Sequence, residues 1–171
     1  ADAATKEAYV WGLRVGFLTF SVTGAGKDSP CYEALEKKTA GAVRGQISNC
    51  SRLSQKIVVD ALRDPGFYEQ REAKVALMKA RAQKVKGVLA DEKYAKAWTV
   101  YPFNSGYFMC LQIHDVNAED LRVHVLKEYG VGTISISDTD LRIAFSCLEV
   151  GQVQELFDIL LQGWNDLTSR T

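Results

Sequence analysis

Residues 6–20 have the sequence Lys6-Glu-Ala-Tyr-Val-Trp-Gly-Leu-Arg14-Val-Gly-Phe-Leu-Thr-Phe20, and the interpretation of the fold starts from this stretch. Lys6 precedes Arg14 by eight positions, and Arg14 opens an apolar run that is punctuated by glycine. A nearly uncharged apolar run is typical of a strand covered on both faces, as in a parallel sheet. The stretch therefore predicts a strand over residues 14–21, with one basic residue before it and another at its start.

Each of these two basic residues has an ordinary and a chemical interpretation. A lysine beside a glutamate is ordinarily a solvated charge, whereas an unprotonated lysine amine forms imines with carbonyl groups. An arginine at the mouth of an apolar strand needs a partner, and its planar fork suits either a carboxylate of the sheet or a phosphate. The glycines at positions 12 and 16 let the backbone approach a bulky ligand closely.

A second informative stretch lies far along the chain and reads Asp140-Leu-Arg142-Ile-Ala-Phe-Ser-Cys-Leu-Glu149. Strand alternation places Leu141 and Ile143 on one face and Arg142 on the other, next to small residues. On that face Arg142 has room to bind a carboxylate through two parallel hydrogen bonds. An internal salt bridge is the alternative interpretation of the same arginine.

The composition limits the classes of protein to which the chain can belong. Its 171 residues, 47% hydrophobic and 25% charged, are typical of one globular domain or of one domain with a short appendage. The 21 acidic residues balance the 21 basic ones, so no overall charge attracts nucleic acid or an anionic membrane. No apolar stretch is long enough to span a bilayer.

The cysteines and histidines show no metal-ligand spacing. The four cysteines are Cys31, Cys50, Cys110 and Cys147. Because they form no C-x-x-C pair and nothing else indicates secretion, we interpret them as reduced thiols in a cytoplasmic protein. Cys110 and Cys147 lie in apolar, strand-like runs, which predicts buried and inert thiols. The two histidines, His114 and His124, have no cysteine or glutamate at ligand spacing, so no metal site is predicted.

An α/β sandwich, with one small sheet backed by helices, is predicted from the order of the remaining elements. The predicted helices cover residues 31–47, 51–62, 67–90, 117–130 and 151–167. The predicted strands cover residues 107–113, 131–137 and 141–147. Ser51 and Asn117 are expected to cap their helices, and Gly130 to end one. Residues 104–108 are interpreted as a turn before a strand, and no site is assigned to them.

The stretch from Lys6 to Arg14 resembles the cofactor segment of the class I and II aminotransferases, which are enzymes of fold type I that use pyridoxal 5'-phosphate. The segment around Arg142 is similar to a late strand of the same family. Residues 104–108 also resemble the family's strand entrance near the substrate, but a turn before a strand has the same residues, and no site is assigned there. The resemblance implies that Lys6 forms the Schiff base with the cofactor, Arg14 holds its phosphate and Arg142 binds the substrate α-carboxylate. It also implies amino acid and 2-oxo acid substrates and a homodimer.

The resemblance has one departure, at the position three residues before Lys6. Many members of the family have a serine there that helps to hold the phosphate, whereas this chain has Ala3. Thr5 is the only hydroxyl nearby, and a role for it as a phosphate ligand does not follow from the resemblance.

The resemblance runs through essentially the whole chain and implies the C-terminal part of a larger enzyme. Residues 1–26 would then end the large cofactor-binding domain, and residues 27–171 would form the small C-terminal domain, with a strand left over from the large one. In the family, the acid that partners the pyridine nitrogen and most phosphate ligands lie upstream. We therefore expect the chain alone to be inactive.

Two other functions fit the same three basic residues. A carbon–sulfur lyase or a carbon-cyclising synthase of the same fold would carry them too. An aminotransferase-like domain of a transcription regulator would bind the cofactor in order to sense it. A winged helix-turn-helix in the upstream sequence would mark the regulator.

Overall fold

The computed structural model describes residues 1–169, and residues 1–73 form the first of its two compact units. Two very short strands in this unit pair antiparallel, Asp2 with Phe17 and Ala3 with Gly16. Its elements are β1 (Asp2–Ala3), α1 (Ala4–Glu7), β2 (Gly16–Phe17), α2 (Pro30–Ile47) and α3 (Arg52–Arg63). The helix α4 (Phe67–Leu89) begins in this unit and ends in the second one. A small apolar cluster is built from the buried side chains of Ala4, Val15 and Val58.

The strand predicted over residues 14–21 is present only at its centre. The structure has a 3-10 turn over Trp11–Leu13 and a strand of two residues, and that strand pairs antiparallel rather than in a parallel sheet. A strand extends only as far as it finds backbone partners, and here its partner β1 is two residues long. Leu18 and Phe20 consequently remain 62% and 43% exposed.

The helices of the first unit begin where local capping signals predict. The Ser51 side chain accepts a hydrogen bond from the Ser54 amide at 3.2 Å, which satisfies one of the first free N–H groups of α3. Ser29 caps α2 in the same way through Cys31, and Pro30 occupies the first turn. The predictions of helices at residues 31–47 and 51–62 are confirmed within one residue at each end.

The second unit, from residue 74 onward, is built on a four-stranded antiparallel sheet. Its further elements are β3 (Trp98–Val100), β4 (Met109–Ile113), α5 (Ala118–Tyr129), β5 (Ile134–Ser135), β6 (Asp140–Ile143) and α6 (Val153–Thr168). The order of strands across the sheet is β3-β4-β6-β5, so β4 and β6 are central. The prediction from sequence missed β3, because Thr99 and Val100 run directly into Tyr101 and Pro102 without an alternating pattern.

One face of this sheet packs against helices to form the main core. Alternate residues of the two central strands are buried, namely Met109, Leu111, Ile113, Leu141 and Ile143. They share a continuous apolar cluster with residues of α5 and α6, which include Leu121, Val125, Phe157 and Leu160. Because one face is covered by helices, the other face is left for polar side chains. The predicted α/β sandwich is confirmed.

The helix α5 has both of the ends that its sequence predicts. The Asn117 side chain accepts hydrogen bonds from the amides of Glu119 at 2.8 Å and Asp120 at 3.3 Å. At the other end Gly130 has a φ of +69°, a left-handed conformation that glycine adopts without strain, and donates to the Leu126 carbonyl.

The strand predicted over residues 141–147 ends earlier, at Ile143. Phe145–Cys147 is a 3-10 turn whose Ser146 amide donates to the Tyr107 carbonyl at 3.3 Å. The turn buries Phe145 but leaves Cys147 exposed, so the prediction of a buried thiol at Cys147 is wrong. Cys110, by contrast, is partly buried within β4.

The compact units divide between residues 73 and 74, whereas the predicted limit between the large and small domains lies between residues 26 and 27. That limit concerns the domains of a larger enzyme, and it stays a prediction. Within residues 1–169, none of the helices combines the length and the apolar character needed to cross a bilayer.

A substitution at Gly163 tests how closely α5 packs against α6. A Cβ at this position would lie 2.5 Å from Cγ1 of Val125, a stiff β-branched side chain. We expect Gly163→Ala to lower the free energy of unfolding by about 1–3 kcal/mol, as overpacked cores do, in urea or thermal unfolding.

Gly87→Ala is the matched control within α4, because a Cβ there meets nothing within 4 Å. It should raise the free energy of unfolding by roughly 0.5–1 kcal/mol through helix propensity. Equal stability of the two variants would contradict the close packing described for Gly163.

Candidate functional site

Lys6 lies on α1, a helix of a single turn. Its neighbour Ala4 is buried in the small apolar cluster, while Lys6 itself is exposed. The helix is tied at its end by Arg71, whose Nε donates to the Glu7 carbonyl at 3.3 Å. The backbone beside Lys6 is therefore anchored, and the residue itself is exposed.

Arg14 follows directly on the 3-10 turn and has an unusual backbone. Its φ of +54° and ψ of +46° lie in the left-handed region, which costs a non-glycine residue energy, and Val15 beside it is buried. Nη1 donates to the Trp11 carbonyl at 3.4 Å. Among residues 1–169 its guanidinium has no carboxylate partner.

Apolar residues next to Lys6 and next to Arg14 pack together in one small cluster. The helix α1 contributes Ala4 to the small apolar cluster, and Ala8 follows directly after the helix. The segment that ends in Arg14 contributes Val10 and Leu13, and Val15 comes next. Lys6 and Arg14 thus belong to backbone segments that pack into the same apolar cluster. Arg142 lies in the other compact unit.

Arg142 occupies the middle of β6 on the face that the helices do not cover. It is paired in register with Cys110 on β4 and with Ile134 on β5. Its guanidinium carbon lies 4.8 Å from the centre of the Phe108 ring. Its Nε is shielded from solvent and makes no hydrogen bond, and no carboxylate of residues 1–169 forms an ion pair with it. Within that part of the chain, the alternative of an internal salt bridge is not realised.

Asp140 is the nearest carboxylate along the same strand, and its oxygens are engaged elsewhere. The Tyr101 hydroxyl donates to Oδ1 at 2.8 Å and the Ser137 hydroxyl donates to Oδ2 at 2.7 Å. The bond to Asp140 raises the pKa of Tyr101 above its usual range. Both oxygens of Asp140 thus accept hydrogen bonds from neutral hydroxyl groups, and no ion pair joins Asp140 to Arg142 in residues 1–169.

A cavity of about 370 Å³ opens beside this group of residues. It is lined mainly by apolar and aromatic side chains, including Tyr101, Phe103, Phe108 and Ile136, with Cys110 and Asp140. Burial raises the pKa of the Cys110 thiol, and Arg142 opposes that change while Asp140 adds to it. No site is predicted from the sequence at Phe108 or Asp140, because only the folded sheet shows which residues lie near Arg142.

Two further groups of polar side chains form hydrogen bonds between helices and neighbouring parts of the chain. The His124 ring and the Tyr129 hydroxyl both hydrogen-bond Oδ2 of Asp166, which joins α5 to α6. These bonds, that of His124 first, hold the pKa of Asp166 at about 2. Burial and a hydrogen bond to Asp158 raise the pKa of Tyr94 to about 12. Residues 1–169 contain no group of His, Cys, Asp and Glu side chains that could hold a metal ion.

The comparisons with known proteins agree with one another. The family model described as aminotransferase class I and II matches residues 4–160. LysN, an α-aminoadipate aminotransferase from Thermus thermophilus complexed with N-(5'-phosphopyridoxyl)-L-leucine, has 22% identity and a TM-score of 0.66 over 81% of this chain and 37% of its own. An aminotransferase from Anaerococcus prevotii has 20% identity and a TM-score of 0.67 over 96% of this chain and 38% of its own.

A third structure extends the same pattern. An aromatic aminotransferase from Pyrococcus horikoshii has 14% identity and a TM-score of 0.61, and the match covers 92% of this chain and 40% of that one. At these identities the likeness establishes a shared fold. The chain spans about two fifths of the length of the structures it matches. No curated protein matches the chain significantly.

The four free thiols should differ in reactivity according to burial. Iodoacetamide attacks the thiolate, so a thiol whose pKa is raised reacts slowly until the pH rises above the usual thiol range of about 8.5. We expect Cys31, Cys50 and Cys147, which are exposed, to be alkylated first and Cys110 last. Peptide mass spectrometry over time measures the order, and denaturant should abolish it. Equal rates for Cys110 and Cys147 in the folded protein would contradict the burial of Cys110.

Proposed function

The chain belongs to the class I and II aminotransferase family, and we propose that it is the C-terminal part of an enzyme that uses pyridoxal 5'-phosphate to transfer an amino group between an α-amino acid and a 2-oxo acid. The proposal rests on the surroundings of the Arg142 guanidinium. A guanidinium set in mid-strand, with a shielded Nε and no carboxylate partner in residues 1–169, is suited to bind the carboxylate of a ligand.

The basic residues of the first unit fit the cofactor by their chemistry. A phosphate needs cationic and N–H donors, and Arg14 offers a guanidinium that no carboxylate of residues 1–169 neutralises. An aldehyde needs an amine, and Lys6 supplies one from the neighbouring helix. When bound, pyridoxal phosphate supplies that aldehyde and an electron sink for the negative charge that develops at the substrate Cα.

Each of the three side chains then has one role. Lys6 would hold the cofactor through its amine and would move a proton to and from the substrate Cα as general base and acid. Arg14 binds the phosphate. Arg142 holds the α-carboxylate through two parallel hydrogen bonds and so orients the bond that must break.

The remaining parts of the proposal concern the whole protein. Because the chain spans about two fifths of the structures it matches, we expect it to be inactive without the residues that complete the site. A homodimer in the cytoplasm is part of the proposal. The free thiols at Cys31, Cys50, Cys110 and Cys147 are compatible with a reducing compartment.

Reduction with borohydride tests the role of Lys6 in the full-length protein. We expect a pyridoxyl group on the peptide that contains Lys6, because reduction makes a lysine–cofactor bond permanent. Lys6→Ala should abolish the label and the transfer activity, whereas Lys27→Ala, which alters a loop of the same unit, should retain both. A label on another lysine in the unchanged protein would overturn the assignment of Lys6.

Substrate affinity tests the role of Arg142. We expect Arg142→Ala in the full-length protein to weaken amino acid binding by about 2–5 kcal/mol, since it removes one side of a close charge pair. Cofactor affinity should stay unchanged. Arg122→Ala is the control, because Arg122 pairs with Glu119 on α5 at 2.6 Å instead. Normal substrate affinity together with lost cofactor would refute the carboxylate role.

A further inference from the structure

We infer that Phe108 is a positioning residue for Arg142: its ring supports one face of the guanidinium and leaves the edges of that group for the substrate carboxylate. The inference rests on the proposed role of Arg142. Its starting observation is the distance of 4.8 Å between the guanidinium carbon and the centre of the Phe108 ring. At that distance the negative face of an aromatic ring attracts a cation.

The geometry of a guanidinium makes this support useful for binding. All five N–H groups lie in the plane of the group, so a ring on its face takes none of them. Among residues 1–169, no carboxylate fixes Arg142 from the side, and its Nε is shielded and without a partner. The ring of Phe108 is thus a contact that restrains the guanidinium while keeping its donors available.

Phe108 is itself held by backbone contacts on both sides. It precedes Met109, which pairs with Ile143, and so approaches the same face of the sheet as Arg142. On its other side, the carbonyl of Tyr107 accepts from the Ser146 amide at 3.3 Å. These contacts join the start of β4 to the end of β6, which carries Arg142.

The helix α4 adds a further restraint to this turn. Nη1 of Arg81 donates to the Ser146 carbonyl at 2.5 Å, and Nη2 contacts Glu149 at 3.2 Å. Ser146 therefore joins α4, the start of β4 and the end of β6 at one point. The backbone next to Phe108 is therefore restrained through Tyr107 and Ser146.

Packing of the core does not explain an aromatic residue at this position. Phe108 is 40% exposed, whereas Phe145 and Phe157 are fully buried. A ring that contacts a guanidinium outside the core has this intermediate exposure. The ring also lines the cavity of about 370 Å³, together with Cys110 and Asp140.

Kinetics of the full-length enzyme provide the first test. Phe108→Leu keeps an apolar side chain but removes the aromatic face, so we expect KM for the amino acid to rise about fivefold to thirtyfold. The rate constant kcat and the affinity for pyridoxal phosphate should stay close to those of the unchanged enzyme. Phe108→Tyr and Phe108→Trp keep an aromatic face and should restore KM.

Phe103→Leu is the matched control. Phe103 is another aromatic residue of the same cavity, and its ring lies 5.2 Å from Nζ of Lys86 and packs against Phe145, not against Arg142. Its replacement should lower stability and leave KM unchanged. A rise in KM equal to that of Phe108→Leu would overturn the inference, because it would make the effect one of cavity shape.

A measurement without catalysis provides the second test. In the 171-residue chain the Hε proton of Arg142 should show an upfield ring-current shift by NMR, with Arg142→Lys used to assign the signal. Phe108→Leu should remove that shift and Phe103→Leu should retain it.

The outcomes separate this inference from the proposed function. If Arg142→Ala leaves KM unchanged, the carboxylate role of Arg142 fails, whatever Phe108 does. If Arg142→Ala raises KM while Phe108→Leu changes neither KM nor the Hε shift, the positioning role alone is refuted. A fall confined to kcat or to cofactor affinity in Phe108→Leu would refute it as well.

Discussion

Side chains along β6 alternate between the two faces of the sheet, and the burial of Leu141 and Ile143 on the inner face determines the placement of Arg142. A slip of register by one residue would turn both aliphatic side chains outward and put the guanidinium into the core. An unpaired charge there is strongly destabilising. The apolar core thus determines that Arg142 faces outward opposite Cys110, and everything proposed for the substrate depends on that placement.

The helices could be predicted closely because their signals are local. Ser51 and Asn117 mark two starts, Gly130 marks an end, and each acts on groups within a few residues of itself. Strands depend on partners that are distant in sequence. The run at residues 14–21 has strand composition, yet it forms a strand only where β1 lies beside it. The segment after Ile143 turns instead of continuing, because the Ser146 amide bonds to Tyr107.

The same contrast holds for the candidate site. Lys6, Arg14 and Arg142 could be singled out from sequence because their spacing and immediate neighbours resemble a family pattern, and their roles stay predictions. The contacts around these three residues could not be predicted from the sequence. The contact between Phe108 and Arg142 arises from strand pairing, and the left-handed backbone of Arg14 arises from a turn that the predicted strand did not include. Residue types could be inferred, whereas the contacts that tune them needed the fold.

The unequal lengths of the strands have a consequence for association between molecules. The two outer strands of the main sheet, β3 and β5, are three and two residues long, while the inner strand β4 has five. An outer strand exposes unpaired amide and carbonyl groups, and a long one is a template on which another chain can add a strand. Pro102 soon after β3 limits its extension further, since proline has no amide proton to donate. The sheet is therefore poorly suited to grow from its edges, and this architecture protects the second unit against the edge-to-edge pairing that starts β-aggregation.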